Sequence, residues 1–334
     1  MKKSDIQNVS RRKFALLAGG GVAASAGIAG CIDGGEAVID PDENTVVASM
    51  PAVWDMARQV AGDDEETLDT LDVVPVGRHG HDWEPEPATV EVIEEAAAFI
   101  YLRGFASWQD DAAEELEDND ETTVIEATEG IDFFDSPAED DDEHFWMDPV
   151  YAKEGVDNIA EGLADVDPES EEVYMSNAGS FKDELEKIHE DMKDVVEHAS
   201  LDTIIVATHD SYQWWYQQYD ISVESPVGTS PDDQASPDEV EDIEEIMNDE
   251  GIEHVLYDVG EPAELAANLA DETETGADIL PLSPLETQID GTPELDVTDL
   301  EMEPDWGYKE HFYEINIPTL KEALDSDVEI DTSY

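Results

Sequence analysis

Short apolar β-type runs alternate with helical patterns along most of this chain, and one uninterrupted helical pattern splits that alternation in two. Thr45–Met50 (TVVASM), Leu71–Val76, Ala98–Leu102 (AFIYL) and Glu121–Ala127 (ETTVIEA) read as strands. Between them Pro51–Gly62, Ala88–Ala97 and Asp110–Glu117 read as helices, with apolar residues such as Val53, Met56, Ala57 and Val60 on one face. Strand–helix alternation predicts a parallel sheet flanked by helices. The style returns after Leu201, with strands at Thr203–Thr208 (TIIVAT), within Ile221–Val227, at His254–Val259 and at Asp278–Leu282, and helices at Ser236–Asp249 and Glu261–Thr275. Trp306–Leu324 reads as a closing helix in which Pro318 can introduce a kink.

Between the halves, Val150–Leu163 predicts one helix, and Pro168–His198 a second and longer one. Asp167 stands at its N-cap and Pro168 at its first position, and the stripe comprises Val173, Phe181, Leu185, Ile188, Met192, Val195 and Val196. At about 1.5 Å per residue such a helix crosses a whole domain, and it reads as a rigid strut. Gly179 weakens it without breaking it. The expected fold is therefore α/β, with two lobes joined by one long connecting helix. The boundaries are 44–166 for the first lobe, 167–199 for the helix and 200–330 for the second lobe.

The segment ahead of the fold reads as an address. Ser10-Arg11-Arg12-Lys13-Phe14 is a twin-arginine export signal, and the apolar run after it is too short and too rich in Gly and Ala to span a membrane. It ends in Ile28-Ala29-Gly30-Cys31, a lipobox, so Cys31 is the expected lipidation site. It is the only cysteine, which leaves no internal disulfide. Residues 1–31 are thus signal and 32–43 an acidic tether. The expected location is the extracytoplasmic face of the cell membrane, held by lipid.

Charge excludes one class of partner. The chain carries 89 acidic and 14 basic residues, a net charge of −75, which would repel nucleic acid. Disorder is the other outcome of such acidity, but 40% of the residues are hydrophobic and fall into strand and helix periods. A folded protein with a halophile-type surface, as an archaeon living in brine would require, accounts for both facts. In molar salt the Debye length is about 3 Å and self-repulsion is screened.

Three loops that follow strands carry histidine. Gly77–Pro87 (GRHGHDWEPEP) holds His79 and His81 in a Pro-braced segment. EHFWMDP at Glu143–Pro149 holds His144, and His209-Asp210-Ser211 follows the TIIVAT strand. Loops at the carboxyl edge of an open α/β sheet are where such folds bind ligands, and imidazole is the commonest metal-binding side chain. Together they predict one divalent-metal site on which these three loops converge. Imidazole nitrogens favour zinc and other late first-row ions over magnesium or calcium.

The ordered motifs HDWEP (His81–Pro85), AFIYLRGFASW (Ala98–Trp108), HFWMDP (His144–Pro149), VATHDSYQWW (Val206–Trp215), SPDEVEDIEEIM (Ser236–Met247) and YKEHFYEINIPTLKEAL (Tyr308–Leu324) resemble the zinc- and manganese-binding (TroA-like, cluster A-I) solute-binding lipoproteins of ABC transporters. The resemblance runs from Thr45 to about Leu324. It implies two α/β lobes joined by a long helix, metal in the cleft between them, and ligand roles for His81, His144 and His209. It further implies delivery of Zn2+ (or Mn2+) to a permease and ATPase on separate chains, by a monomer that catalyses nothing. A histidine at the third position, here His209, leans toward zinc.

The family's Asp in the turn after the last strand is replaced here by Ser283, in Ser283-Pro284-Leu285. The fourth position then falls to water, or to Glu286 or Asp258, while Glu84 and Asp148 read as supporting or capping carboxylates. His79 reads as a residue of the cleft rim, with an accessory ligand as the alternative. The acidic loop Ser136–Glu143 reads as plain solvated chain, with weak gathering of cations as its alternative. Two rivals remain. A metal-dependent hydrolase is suggested by His79-Gly80-His81-Asp82, although its spacing does not match a two-histidine nucleophile site and no general base is evident. An organic-ligand binder would use Tyr212, Trp214 and Trp215, residues that a core stripe also explains.

Overall fold

The computed structural model describes residues 44–62, 67–81, 83–117, 122–229, 235–272, 276–293 and 300–331. The export signal with Arg11 and Arg12, the lipobox Cys31, the tether and Asp82 lie outside them.

The first lobe is a four-stranded parallel sheet of order β2-β1-β3-β4, built from β1 (Thr45–Ala48), β2 (Asp69–Asp72), β3 (Ala98–Tyr101) and β4 (Thr123–Glu126). Helices α1 (Pro51–Ala61), α2 (Pro87–Glu95) and α3 (Ser107–Glu117) supply the crossovers. The second strand is earlier and shorter than the apolar run suggests: Val73 and Val74 are buried, but they already belong to the loop that leads to the histidines.

After α4 (Pro149–Val166) the chain turns tightly and enters α5 (Glu171–Glu197). The long helix thus starts later than expected. Asp167 closes α4, and Pro168 lies in the turn rather than at a helical first position. Over 27 residues, α5 buries Tyr174, Ala178, Phe181, Leu185, Ile188, Met192 and Val195, alternating steps of four and three that lay one stripe along its length. It packs on α1 and α4 at one end and on the second lobe's helices at the other. Gly179 lies on its exposed face, and the helix passes through it.

The second lobe has β5 (Thr203–Ile205) beside β6 (Ser222–Glu224), and β7 (His254–Asp258) beside β8 (Asp278–Leu282), all parallel. A parallel bridge between Val206 and Leu256 joins the pairs. The resulting order, β6-β5-β7-β8, repeats that of the first lobe. Helices α6 (Gln213–Tyr219), α7 (Pro237–Glu250) and α8 (Glu264–Glu272) connect the strands. The closing helix opens at Tyr308 and carries a π segment over His311–Asn316, just before Pro318. The missing proline N–H makes a π register a natural local accommodation.

Tryptophans tie the lobes together. The Trp146 indole donates to the Pro284 carbonyl at 2.7 Å, the Trp215 indole to the Met147 carbonyl at 2.8 Å and the Trp214 indole to the Asp142 carbonyl at 3.1 Å. One apolar core runs from Val46 through α5 to Leu324. Tyr212, Trp214 and Trp215 are fully buried in that arrangement, so they offer no stacking platform for an organic ligand.

Candidate metal centre

Each predicted histidine sits in a loop that leaves the carboxyl end of a strand: His81 after β2, His144 after β4 and His209 after β5. Their Nε2 atoms converge on Glu286, in the loop after β8. His81 Nε2 lies 3.4 Å from His144 Nε2 and 3.6 Å from Glu286 Oε2. Glu286 Oε1 is 3.5 Å from His144 Nε2 and 3.6 Å from His209 Nε2. A tetrahedron with bonds of about 2.1 Å has edges of about 3.4 Å. These separations, taken to whichever Glu286 oxygen is nearer, and one donor atom from each residue within 4.8 Å of the others suit an ion bound by three nitrogens and the Glu286 carboxylate. Both Glu286 oxygens are buried, and neither accepts a well-aligned hydrogen bond among the described residues. A buried carboxylate without donors is costly unless a cation meets it.

Two backbone features aim Glu286. Leu285, buried and not glycine, has φ 61°, a conformation that bulky side chains rarely adopt. The Gly77 N–H donates to the Gln288 carbonyl at 2.7 Å and the Gly80 N–H to the Glu286 carbonyl at 3.0 Å. The loops of His81 and Glu286 are therefore hydrogen bonded to each other.

Carboxylates behind the ring fix the imidazoles. Asp142 Oδ1 accepts the His144 backbone N–H at 3.0 Å, an Asx turn, and also meets His144 Nδ1 at 3.0 Å. Glu261 contacts His209 Nδ1, and the Ser211 hydroxyl contacts His209 Nε2. A carboxylate on the far nitrogen turns the near nitrogen's lone pair toward an ion.

Electrostatics follow from burial and these neighbours. Burial lowers His144, but Glu143, Asp142 and Glu286 outweigh it and raise the ring to about 9. Burial also opposes protonation of His209, yet Glu286 and Glu261 hold it above its ordinary value. His81 is pushed down to about 3, by burial and then by His144, His209 and His79, against the pull of Glu286. Burial would raise Glu286, but His209, His79 and His81 hold it well below the usual carboxylate range. Capture of a cation here must displace imidazole protons.

Other expected residues fall elsewhere. Ser283 is buried, but its hydroxyl meets His311 Nδ1 at 2.6 Å, so it is turned away from the ring of histidines. Glu84 is exposed and cannot reach in. Asp148 accepts the Val150 N–H at 2.8 Å and caps α4, its expected supporting role. Asp258 lies beside the ring, 3.5 Å from His79 Nε2. His79 is not a rim residue: it is buried, with Nε2 3.4 Å from Glu286 Oε2. The acidic loop is exposed at Asp140 and Asp141, but its end turns inward, burying Asp142 and bringing Glu143 Oε1 to 3.8 Å from His81 Nε2. Sequence reasoning missed Asp142, Glu143 and Glu261. An Asp two residues before a histidine was the readable signal for the first.

The model of one protein family, described as "Zinc-uptake complex component A periplasmic", matches residues 46–297, well over half of the 334 residues. The chain belongs to this family. The High-affinity zinc uptake system protein ZnuA of Bacillus subtilis is 22% identical over 253 residues, covering 72% of this chain and 78% of the relative. The manganese ABC transporter substrate-binding lipoprotein PsaA of Streptococcus mitis is 22% identical over 229 residues, 64% of this chain and 72% of the relative. Against the zinc-binding protein AdcA of Streptococcus pyogenes the match spans only 50% of the relative's length. The AdcAII structure from Streptococcus pneumoniae superposes with a TM-score of 0.71 at 24% identity, over 86% of this chain and 100% of that one. The two-lobe α/β architecture of the zinc-uptake family is thus the fold of this chain.

Proposed function

We propose that this protein captures a divalent transition metal outside the cytoplasm and delivers it to an ABC permease and its ATPase, with His81, His144, His209 and Glu286 as ligands. The observation that carries the reading is the edge spacing of 3.4 to 3.6 Å among those donor atoms, drawn from both lobes. The relatives named for zinc and manganese uptake support it. Zinc is the favoured cargo, because three imidazoles and one carboxylate in a tetrahedral arrangement suit it better than manganese, which takes oxygen-rich, six-coordinate sites.

Of the three occupants the sequence left open for the fourth position, water, Glu286 and Asp258, Glu286 is the one proposed; a carboxylate there speaks against a hydrolytic site, since such a site keeps one coordination position free. The lobes are bound by the tryptophan ties and by α5, so capture and release would proceed through small adjustments of loops. The twin-arginine signal and Cys31 support a lipid anchor at the outer face of the cell membrane, and the excess of acid supports a halophile-type surface.

The test is metal content under competition. The full chain, purified in molar KCl, is dialysed against equal zinc and manganese with excess magnesium, and bound ions are counted by mass spectrometry. Tightly bound zinc is expected. His81→Ala, His144→Ala and His209→Ala should each weaken it by roughly tenfold or more, and the triple variant should bind none. Manganese in its place would keep capture and change the cargo. Absence of any tight ion, or indifference to all three changes, would overturn the reading.

A further inference from the structure

His79 is surplus to a four-ligand site, yet it is built like a ligand. Its ring is buried, its Nε2 finds no well-aligned hydrogen bond among the described residues, and it lies 3.4 Å from Glu286 Oε2 and 3.5 Å from Asp258 Oδ2. Asp258 Oδ2 is equally buried and, among the described residues, likewise has no well-aligned hydrogen bond; its other oxygen accepts the Gly260 N–H at 2.7 Å. Glu261 completes the group: His79, His209, Asp258 and Glu261 each bring a donor atom within 4.8 Å of the others.

We propose that the cleft has a second position for a divalent transition-metal ion, held by His79, Asp258 and Glu261 and joined to the first through the Glu286 carboxylate. The inference rests on the metal-capture reading above and adds a second ion to it. Glu286 is placed to bridge. Its Oε1 faces His144 and His209, whereas its Oε2 faces His81 and His79. The 3.4 and 3.5 Å separations around His79 repeat the edge lengths of the first position, so His79, Asp258 and Glu286 can share an ion with little movement of their donor atoms. The ring proton shifts to Nδ1, which gives up the His81 N–H it accepts at 3.3 Å.

Charge points the same way. Asp142, Asp258, Glu261 and Glu286 crowd one cleft, and among the described residues no Lys or Arg pairs with any of them. With Glu143 beside His81 these become five carboxylates; one divalent ion balances two of them and two ions balance four. Uncompensated buried charge is strongly disfavoured, so a second cation has a physical reason to stay. The donor set of the second position, one imidazole and carboxylate oxygens, is harder than that of the first, and zinc or manganese fits it.

The probe is zinc alone. The full chain in molar KCl is loaded with excess Zn2+, freed of loose ions by gel filtration and weighed by native mass spectrometry, alongside His79→Gln and Asp258→Asn, whose folding is checked by circular dichroism. Two zinc ions per wild-type chain, falling to one in both folded variants, is the expected result. One zinc in the wild type would overturn the second position and leave the first standing. Two ions in wild type and in both variants would place the extra ion elsewhere and overturn it as well. Loss of every ion in a folded His79→Gln chain would make His79 a ligand of the first position, which also overturns the proposal. No zinc in the wild type would remove the capture reading together with this one.

Discussion

The backbone N–H of Gly80 donates to the carbonyl of Glu286 at 3.0 Å, so the residue before His81 is hydrogen bonded to the main chain of the fourth donor. The two loops come from different lobes, and this contact makes the spacing of the ring a property of the backbone.

That junction has no room for a larger residue. A Cβ on Gly80 would stand 3.2 and 3.3 Å from the Phe105 ring, which itself lies against His81 with centroids 4.0 Å apart. Gly80→Ala should therefore cost about 1–3 kcal/mol of stability through overpacking. It should also weaken zinc binding, because relief requires the His81 loop to move. Thermal melts with and without zinc, together with chelator competition, measure both effects. An unchanged zinc affinity would mean that the junction does not set the ring.

Asp142 tests whether the carboxylate behind a ligand matters. Asp142→Asn retains the shape and a carbonyl for the Asx turn, but removes the charge that polarises His144 Nδ1–H. Zinc affinity should fall about 10- to 100-fold, read by competition with a fluorescent chelator. Equal affinity in both proteins would reduce Asp142 to a turn residue.

How much of this was readable beforehand depends on locality. His81, His144 and His209 were legible because each follows its own strand, and a parallel sheet gathers such loops at one edge. Glu286 was only one of several candidates, since its aim depends on the φ of Leu285 and on the pairing of 77–80 with 286–288, which are long-range facts. His79 was read first as a rim residue and only second as an accessory ligand, although an H-x-H spacing in extended chain sets both rings on one side, and the rings of His79 and His81 do lie nearly parallel, 5.9 Å apart. Ser283 drew attention as a replaced ligand, but its partner His311 is 28 residues away, beyond the reach of local pattern. The late start of α5 follows from the turn at Pro168, which a helical stripe read as first-turn proline conceals.

Gly179 offers a clean backbone test. It lies on the exposed face of α5, and a Cβ there meets nothing within 4 Å. Gly179→Ala should stabilise the protein by about 0.5–1 kcal/mol, chiefly by restricting the unfolded chain. Urea unfolding at constant salt gives the difference, and a loss of stability would show that the helix needs freedom at that point.

Asp148 should give the pH profile a distinct slope. Burial raises its carboxyl from 3.8 to about 7, against the opposing pull of the Val150 and Tyr151 N–H groups. A raised folded value means that the folded state holds the proton more tightly than the unfolded one. Its stabilising contribution is therefore complete below about pH 4 and is lost as pH rises toward 7, at up to about 1.4 kcal/mol per pH unit for one proton. Asp148→Asn keeps the helix cap, because Asn caps as well as Asp, and removes the titration. The variant should gain on the wild type between pH 4 and pH 7 in denaturant melts. Parallel curves would show that the carboxyl reaches solvent.

Salt tests the surface. With 89 acids against 14 bases, most of the net charge of −75 must repel itself across the exterior, where the Lys and Arg ion pairs among the described residues are few and partly exposed. At 0.1 M salt the screening length is about 10 Å, long enough for neighbouring carboxylates to feel one another; at 1 M it is about 3 Å. The thermal midpoint of the metal-free chain should rise steeply between those concentrations of KCl. The zinc-loaded chain should rise less, because bound cations already neutralise the most crowded carboxylates, those of the cleft. Equal salt slopes with and without zinc would mean that the cleft contributes little to the repulsion, and that the exterior alone sets the demand for salt.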